Sequence, residues 1–284
     1  MTVHVIIPVY NRLPLTRLVI DCLRAQQLDE ALRIIVIDDG STDGTAQWLA
    51  GLAEITVLKG DGSLWWAGAI ELGLRHVLQT AGRADWVLFC NNDTTFDKNF
   101  IRQLLEIGYQ SAPVAVGSAI CDSKDTERLL SIGPLLDPWR LKISDKLGRP
   151  RIRNRNAGPH TVDALSGRGT IYPVSAFQAI GCMKPLFLPH YLADYELSVR
   201  VRKAGYELLV SEDAVVFSNE DFGNSYNATN LWRRFFEIRS PHYLPATLAF
   251  WWRVSTFIER LTLLPRFLWV TLKPKRFLRS SKGR

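Results

Sequence analysis

The sequence predicts an α/β fold in which a mostly parallel, Rossmann-like sheet is flanked by helices. Short runs of strand-forming apolar residues alternate with segments whose apolar residues recur at helical spacing. The run at 3–9 is followed by a helical pattern at 15–26 and by a second apolar run at 33–37. This strand–helix–strand order predicts parallel strands joined by a right-handed crossover.

The same alternation continues as far as residue 217. The further predicted strands lie at 55–59, 86–90, 114–120, 206–210 and 214–217, and the further predicted helices at 46–52, 70–79, 96–108, 174–180 and 194–204. Between residues 121 and 160 proline, glycine, lysine and arginine replace the pattern, which predicts a long loop with small strands. Its basic run at 149–155 fits either a solvated loop or the lining of a phosphate site.

Composition and motifs narrow the functional classes. The chain of 284 residues has an ordinary apolar fraction, which argues against disorder, and its four cysteines show no metal or redox spacing. No signal peptide precedes the first strand, so we expect a reducing, cytosolic compartment. The sequence lacks the glycine motifs of dinucleotide oxidoreductases and P-loop enzymes, which disfavours both classes. It contains no recognisable nucleic-acid-binding module, so we expect no nucleic acid partner.

Carboxylate and amide side chains stand at the ends of several predicted elements. The tripeptide Asn-Asn-Asp at 91–93 directly follows the fourth strand, Asp38 and Asp39 end the second, and Asp194 begins a helix. The carboxyl ends of parallel strands share one edge of a sheet, where open α/β folds bind their ligands. Oxygen ligands suit a hard divalent cation, so Asp93 is a candidate metal ligand. Taken singly, each group is also explained as a turn or helix cap.

Two adjacent tryptophans, Trp65 and Trp66, lie in a glycine-containing segment at 60–69. We expect this segment to be a loop just before the predicted helix at 70–79. Tryptophan rings in such a loop either anchor packing or form a wall for a sugar or a base. Both interpretations stay open from the residues alone.

From residue 229 onward, aromatic residues and leucines alternate with arginines. Charged residues interrupt every apolar run before it reaches the roughly 20 residues that a membrane-spanning helix requires. Basic residues crowd the end of the chain: Lys273, Lys275, Arg276, Arg279, Lys282 and Arg284. We therefore expect helices in the membrane interface, with Trp251, Trp252 and Trp269 at headgroup depth and the basic end on anionic lipid. A helical lid packed on the core is the alternative.

Five short segments recur in a fixed order over about the first 220 residues. They are Ile-Ile-Pro-Val-Tyr-Asn at 6–11, Val-Ile-Asp-Asp-Gly-Ser-Thr-Asp-Gly-Thr at 36–45, Leu-Phe-Cys-Asn-Asn-Asp at 88–93, Leu-Ser-Gly at 165–167, and Asp-Tyr-Glu-Leu-Ser-Val-Arg at 194–200 followed by Gly205-Tyr206. Together they resemble the inverting family-2 glycosyltransferases, which have the nucleotide-diphosphosugar transferase (GT-A) fold. The Trp65-Trp66 segment is similar to one in bacterial, rhamnosyltransferase-like members that build surface polysaccharides.

By position, the resemblance implies roles for individual residues. Asp194 would be the general base, and Gly167, together with Trp66, would contact the acceptor. Asp93 would bind Mg²⁺ or Mn²⁺, which bridges the donor diphosphate. The residues implied for nucleotide-sugar binding are Pro8, Tyr10, Asn11, Asp38, Asp39, Trp65, Trp66, Gly68 and Asn92. A pyrimidine base would donate a hydrogen bond to Asp38 or Asp39.

The implied activity is transfer of a sugar from a UDP- or dTDP-linked donor to a glycan or lipid-linked acceptor in cell-surface polysaccharide synthesis. An acceptor hydroxyl deprotonated by Asp194 would attack the anomeric carbon from the face opposite the diphosphate. Configuration would be inverted in this single displacement. The metal would stabilise the charge that develops on the leaving group.

The chain departs from the family pattern at three places. Asn91 and Ala193 stand where the family often has acidic residues, and 218–221 lacks a histidine that many members use as a metal ligand. These departures favour an alternative, a non-catalytic transferase fold that acts as a membrane-bound assembly partner. His160 and His190 do not match the family histidine, and we interpret them as structural histidines with satisfied hydrogen bonds.

The expected organisation is a catalytic domain at 1–225 followed by a helical, membrane-associating extension at 226–284. Within the catalytic domain, about 1–120 would bind the nucleotide and about 121–225 the acceptor. The expected location is the cytoplasmic face of the inner or plasma membrane, as a peripheral protein. The expected partners are the nucleotide-sugar donor, the acceptor and an anionic membrane surface.

Overall fold

The computed structural model describes residues 1–111, 113–154, 157–218 and 230–272. The strands are β1 Thr2–Val9, β2 Ala31–Asp38, β3 Ile55–Lys59, β4 Trp86–Phe89, β5 Val114–Asp122, β6 Arg128–Ser131, β7 Pro134–Asp137, β8 Lys142–Asp145, β9 Arg151–Ile152, β10 His160–Thr161, β11 Thr170–Pro173 and β12 Glu207–Ser218. The helices are α1 Leu13–Arg24, α2 Thr45–Ala50, α3 Trp65–Leu78, α4 Phe100–Gln110, α5 Val174–Ile180, α6 Ala193–Lys203, α7 Leu231–Phe236, α8 Leu244–Val254, α9 Phe257–Leu261 and α10 Leu263–Leu272.

The main sheet has the strand order β3-β2-β1-β4-β11-β5-β12-β10. Neighbours among β3, β2, β1 and β4 are parallel, and so are β5 and β12, whereas β11 and β10 run antiparallel to their neighbours. Buried side chains form an apolar cluster on each face of this sheet. The prediction of an α/β fold with a mostly parallel sheet between helices is confirmed.

Among the predicted boundaries that are wrong, two have a tertiary cause. Helix α3 begins at Trp65, so both tryptophans lie in its first turn and not in a preceding loop. Asp39, the residue after β2, fixes the start of this helix, because its carboxylate accepts the N–H groups of Leu64 and Trp65 at 3.0 and 3.3 Å. The two short strands predicted near the end of the catalytic region form one strand, β12, with a shift in register between Ser211 and Val215.

The antiparallel strand β11 determines which loops meet at the edge of the sheet. Because it runs opposite to β4, its first residue, Thr170, lies beside Phe89 at the end of β4. The Gly169 N–H donates to the Phe89 carbonyl at 2.8 Å. The loop at 165–169 therefore emerges at the same edge as the polar tripeptide at 91–93.

The C-terminal helices divide into a packed part and an exposed part. Helix α8 packs against α6 through buried residues, namely Ala246, Phe250, Trp251 and Val254. Trp251 is 3 % exposed, so the prediction that it lies at headgroup depth is wrong. Trp252 and Trp269 are 54 % and 64 % exposed. In the described part of the chain, no helix is both long and apolar enough to cross a membrane.

Several sequence predictions fall outside the described residues. These are the basic run at 273–284, the position of the missing histidine at 219–221 and the domain boundary after residue 225.

A charged contact inside the protein fixes α8 to α6. Glu196 on α6 is 2 % exposed, and its carboxylate accepts hydrogen bonds from Arg200 at 3.0 Å and from Arg253 on α8 at 2.6 Å. The Lys203 ammonium donates to the carbonyls of Arg253 and Val254 at the end of α8. The C-terminal segment is therefore joined to α6 by charge as well as by apolar contact.

Replacement of this buried carboxylate should destabilise the fold. Glu196→Gln leaves two arginines facing a neutral amide, so we expect the free energy of unfolding to fall by about 3 kcal/mol. Urea denaturation measures the change. The control is Glu106→Gln on α4, where an exposed pair with Arg102 at 3.8 Å should contribute less than about 0.5 kcal/mol. Equal effects of the two substitutions would contradict the prediction.

Candidate active site

Asp194 lies in the first turn of α6 and is held by backbone donors. The Gly167 N–H donates to its Oδ2 at 2.8 Å, and the Tyr195 N–H donates to its Oδ1 at 2.9 Å. Burial raises the pKa of the Asp194 carboxyl, although both N–H donors act in the opposite direction. A carboxylate with a raised pKa is a stronger base than an exposed aspartate, which suits proton abstraction.

Helix α6 also positions the loop that contains Gly167. The Leu165 N–H donates to Ser198 Oγ at 2.8 Å. Ser198 lies one helical turn after Asp194, which accepts the Gly167 N–H. Residues four apart share one face of a helix, so the loop is attached to this face at two points. The orientation of the carboxylate and the course of the loop are thus fixed together.

Trp66 connects this loop to the polar tripeptide after β4. A Cβ atom at Gly167 would lie 2.1 Å from Cζ2 of the indole, so the contact requires glycine. The indole Nε1–H donates to Asn91 Oδ1 at 2.9 Å. Trp66 therefore connects the loop of the candidate base to the tripeptide that contains the candidate metal ligand.

The polar tripeptide offers a single carboxylate. Asp93 Oδ2 accepts a hydrogen bond from Arg12 at 3.2 Å, while Oδ1 is shielded and has no hydrogen-bond partner among the described residues. The Asn91 oxygen is engaged by Trp66, and the Asn92 amide donates to Thr16 at 3.2 Å. Across the described ranges, no group of three His, Cys, Asp or Glu side chains forms a metal site. One carboxylate oxygen without a donor, completed by substrate phosphates, fits Mg²⁺ or Mn²⁺.

The exits of β1 and β2 are interlocked beside this site. Asn11, which has a left-handed φ of 58°, donates its N–H to Ser41 Oγ and accepts the Thr42 N–H, both at 2.8 Å. Asp38 Oδ1 accepts the Ser41 N–H at 3.0 Å. Tyr10 is exposed at the rim. The two loops implied for nucleotide binding are therefore mutually braced.

The remaining residues implied for nucleotide binding lie deeper in the fold. Asp39 is buried and accepts N–H groups from Gly62 and from the start of α3. Pro8 pairs with Ile37 inside the sheet, and Gly68 is buried in α3. Asp39 thus has a structural role at the start of α3. The pyrimidine contact to Asp38 or Asp39 stays a prediction.

The sequence analysis missed Arg12, which donates a hydrogen bond to Asp93 at this edge of the sheet. The available signal was its position directly after the segment at 6–11.

The structure also bears on the two histidines that the sequence analysis interpreted as structural. His160 contacts the Glu212 carboxylate at 2.6 Å, which confirms its interpretation as structural. His190 departs from this interpretation in one respect, since its Nδ1 is shielded and has no hydrogen-bond partner among the described residues.

Solved structures with a similar fold include two bound to nucleotides. GalNAc-T7 with UDP, GalNAc and Mn²⁺ has a TM-score of 0.62 at 14 % identity, and the match covers 77 % of this chain and 44 % of that one. S. aureus TarS 1–349 with UDP-GlcNAc has a TM-score of 0.56 at 16 % identity, with 80 % and 62 % covered. This chain thus spans between about two fifths and three fifths of those chains. At such identity the likeness shows the fold alone.

Comparison of the sequence with protein families gives the more specific result. No protein with a curated description matches. The family model described as glycosyl transferase family 2 matches residues 4–181, which is more than half of the chain. This range contains the exits of β1 and β2, Trp66, Asp93 and the Gly167 loop. The resemblance inferred from the motifs is confirmed: the chain belongs to glycosyl transferase family 2.

Proposed function

We propose that this protein transfers a sugar from a UDP- or dTDP-linked donor to a glycan or lipid-linked acceptor in cell-surface polysaccharide synthesis, with inversion of configuration. The observation that carries the proposal is the continuous set of contacts from Asp194 through Gly167 and Trp66 to Asn91, two residues before Asp93. A candidate base and a candidate metal ligand are thereby held at one edge of the sheet. The UDP, UDP-GlcNAc and Mn²⁺ in the similar structures support the same donor chemistry.

The proposed reaction is a single displacement. Asp194 accepts the proton of an acceptor hydroxyl, whose oxygen attacks the anomeric carbon opposite the diphosphate. The bond from that carbon to the diphosphate breaks, and its electron pair leaves with the nucleotide. Asp93 would hold a divalent cation, which would stabilise the negative charge that develops on the diphosphate. Arg12, 3.2 Å from Asp93 and largely exposed, adds positive charge at the same place.

A second candidate is a non-catalytic transferase fold that acts as a membrane-bound assembly partner. It is favoured by the hydrogen bond from Trp66 to the Asn91 oxygen, which competes with metal binding by this neutral side chain. Calorimetry with a panel of UDP- and dTDP-sugars, with and without Mn²⁺, separates the two. Binding of a donor supports the transferase, and binding of none favours the assembly partner.

The raised pKa of Asp194 sets the acidic side of the activity profile. A base must be deprotonated, so activity should be lost as the pH falls through the pKa of the folded enzyme. This loss should occur above the ordinary aspartate value of about 3.9. The dependence of kcat/KM on pH in sugar transfer measures this loss.

Replacement of the candidate base provides a second test. Asp194→Asn should lower kcat by about 10²–10⁴-fold while UDP still binds. Undiminished transfer by this variant would overturn the assignment of the base.

The proposed metal ligand is tested by binding. Asp93→Asn should weaken Mn²⁺ affinity by about tenfold or more in the presence of UDP, because it removes a carboxylate charge from the site. Isothermal titration of Mn²⁺ measures the affinity. The control is Asp97→Asn, which changes a nearby carboxylate that lies outside the proposed site. If both variants bind Mn²⁺ like the wild type, Asp93 is not a ligand.

We further propose that the protein is peripheral to the cytoplasmic face of a membrane. Helices α9 and α10 expose an apolar surface formed by Phe257, Ile258, Leu261, Leu264, Leu268 and Trp269. Arginines accompany the neighbouring aromatic rings, with Arg260 5.6 Å from Trp252 and Arg266 5.1 Å from Trp139. An apolar surface bordered by arginines and exposed tryptophans supports contact with an anionic lipid interface. The basic run that follows α10 in sequence adds charge of the same sign.

A charge on this apolar surface should prevent membrane binding. Leu261→Asp removes a buried contact with lipid and adds a repelling carboxylate, so we expect binding to phosphatidylglycerol vesicles to fall about tenfold or more. Cosedimentation with vesicles measures the effect. Leu18→Asp provides the control, since Leu18 is an exposed leucine on α1. Unchanged cosedimentation of the Leu261 variant would contradict a membrane contact through α9 and α10.

A further inference from the structure

His190 lies on the short segment that leads into the helix of the candidate base. The Pro189 carbonyl accepts the Ala67 N–H at 3.0 Å, which fixes this segment against the first turn of α3. Leu192 then adopts a left-handed φ of 68° and is the N-cap residue of α6, whose first turn contains Asp194. His190 is therefore held beside the first turns of α3 and α6, the turns that contain Trp66 and Asp194.

The imidazole of His190 has aromatic neighbours and an unsatisfied nitrogen. Its ring centroid is 5.9 Å from that of Trp65 and 4.6 Å from that of Tyr191. Nδ1 is shielded from solvent and has no hydrogen-bond partner in the part of the chain that the structure describes. Nε2 is not shielded, and none of the described residues forms a hydrogen bond with it, so this second nitrogen is open to a ligand.

Trp65 contributes a second unusual feature beside this imidazole. Its φ of 55° lies in the left-handed region, which bulky side chains rarely adopt. The other neighbour of the indole is the Arg239 guanidinium, 5.7 Å from the ring centroid, which has no carboxylate partner among the described residues. Backbone strain is concentrated where a structure presents a side chain to a ligand. The strain at Trp65 therefore points to the same place as the unpaired nitrogen of His190.

Electrostatics keep the imidazole neutral. Burial, aided by the Arg239 charge, lowers the pKa of His190 to about 4. At neutral pH the ring then has one N–H and one lone pair. A shielded nitrogen without a partner is better occupied by the lone pair than by an orphaned N–H, so the proton lies on Nε2. A single neutral donor of this kind suits a hydroxyl group, whereas a phosphate favours a charged donor.

We propose that His190 and Trp65 recognise the sugar ring of the acceptor, which assigns Trp65 to the acceptor and not to the donor as the family resemblance implied. The Nε2–H donates to a hydroxyl other than the one that reacts, and Trp65 covers an apolar part of the ring. The inference rests on the proposed glycosyl transfer, because it specifies the acceptor side of the same site. It makes recognition of the acceptor depend on the stereochemistry of individual hydroxyl groups.

Two substitutions of His190 test the proposed hydrogen bond. His190→Phe keeps a ring and removes both nitrogens, whereas His190→Gln restores a neutral N–H donor. Transfer is measured from UDP- and dTDP-sugars to a panel of p-nitrophenyl glycosides, and nucleotide binding by calorimetry. We expect His190→Phe to raise the KM of the best glycoside about 5–10-fold, with kcat and the Kd of the nucleotide nearly unchanged. His190→Gln should recover most of the loss.

The controls separate this inference from the proposed function. His76→Phe makes the same replacement in the last turn of α3 and should change neither KM nor Kd. An unchanged glycoside KM in His190→Phe overturns the inference, and so does an equal loss of nucleotide binding, which would indicate a structural role. A wild type that binds nucleotide but transfers to no glycoside also overturns it and leaves the transferase in place. A wild type that binds neither UDP nor dTDP overturns the proposed function as well.

Discussion

The hydrogen bond from the Gly167 N–H to Asp194 is the constraint on which the rest of the candidate site depends. It fixes the carboxylate at the start of α6 and brings the loop before β11 to the same place. Because Gly167 has no side chain, Trp66 packs directly on this loop and reaches Asn91 with its indole N–H. A helix, a loop and a strand end are thus held in one geometry by backbone and ring contacts.

Several groups in this region have unfavourable energies that the fold tolerates. Burial raises the pKa of the Asp194 carboxyl, one shielded oxygen of Asp93 has no donor among the described residues, and Trp65 has a left-handed backbone. Such features persist when the surrounding structure over-determines them. Here that structure is a sheet with an apolar cluster on each face and the ion pairs of Glu196 that join α8 to α6. Stability in the core therefore offsets strain at the edge where substrates would bind.

The C-terminal segment has two different surfaces. Helix α8 belongs to the core, because Trp251 is buried and the charge of Arg253 is satisfied on Glu196. Helices α9 and α10 leave an apolar surface exposed beside arginines. Of the two interpretations of this segment from the sequence, the packed lid describes α8, and the interfacial surface stays a proposal for α9 and α10. Arginine and tryptophan residues occur in both parts of the segment, so the periodicity of the sequence could not distinguish the packed helix from the exposed ones.

The sequence by itself determined the alternation of strands and helices, the family, and the place of Asp93 and Asp194 at element ends, because apolar periodicity and short motifs are local. Only the tertiary structure decided that the Trp66 indole donates to the Asn91 oxygen and that no described residue pairs with Nδ1 of His190. It also decided where α3 begins, through Asp39. These features depend on contacts between residues 25 or more positions apart, and no local pattern encodes which distant group lies opposite a given side chain.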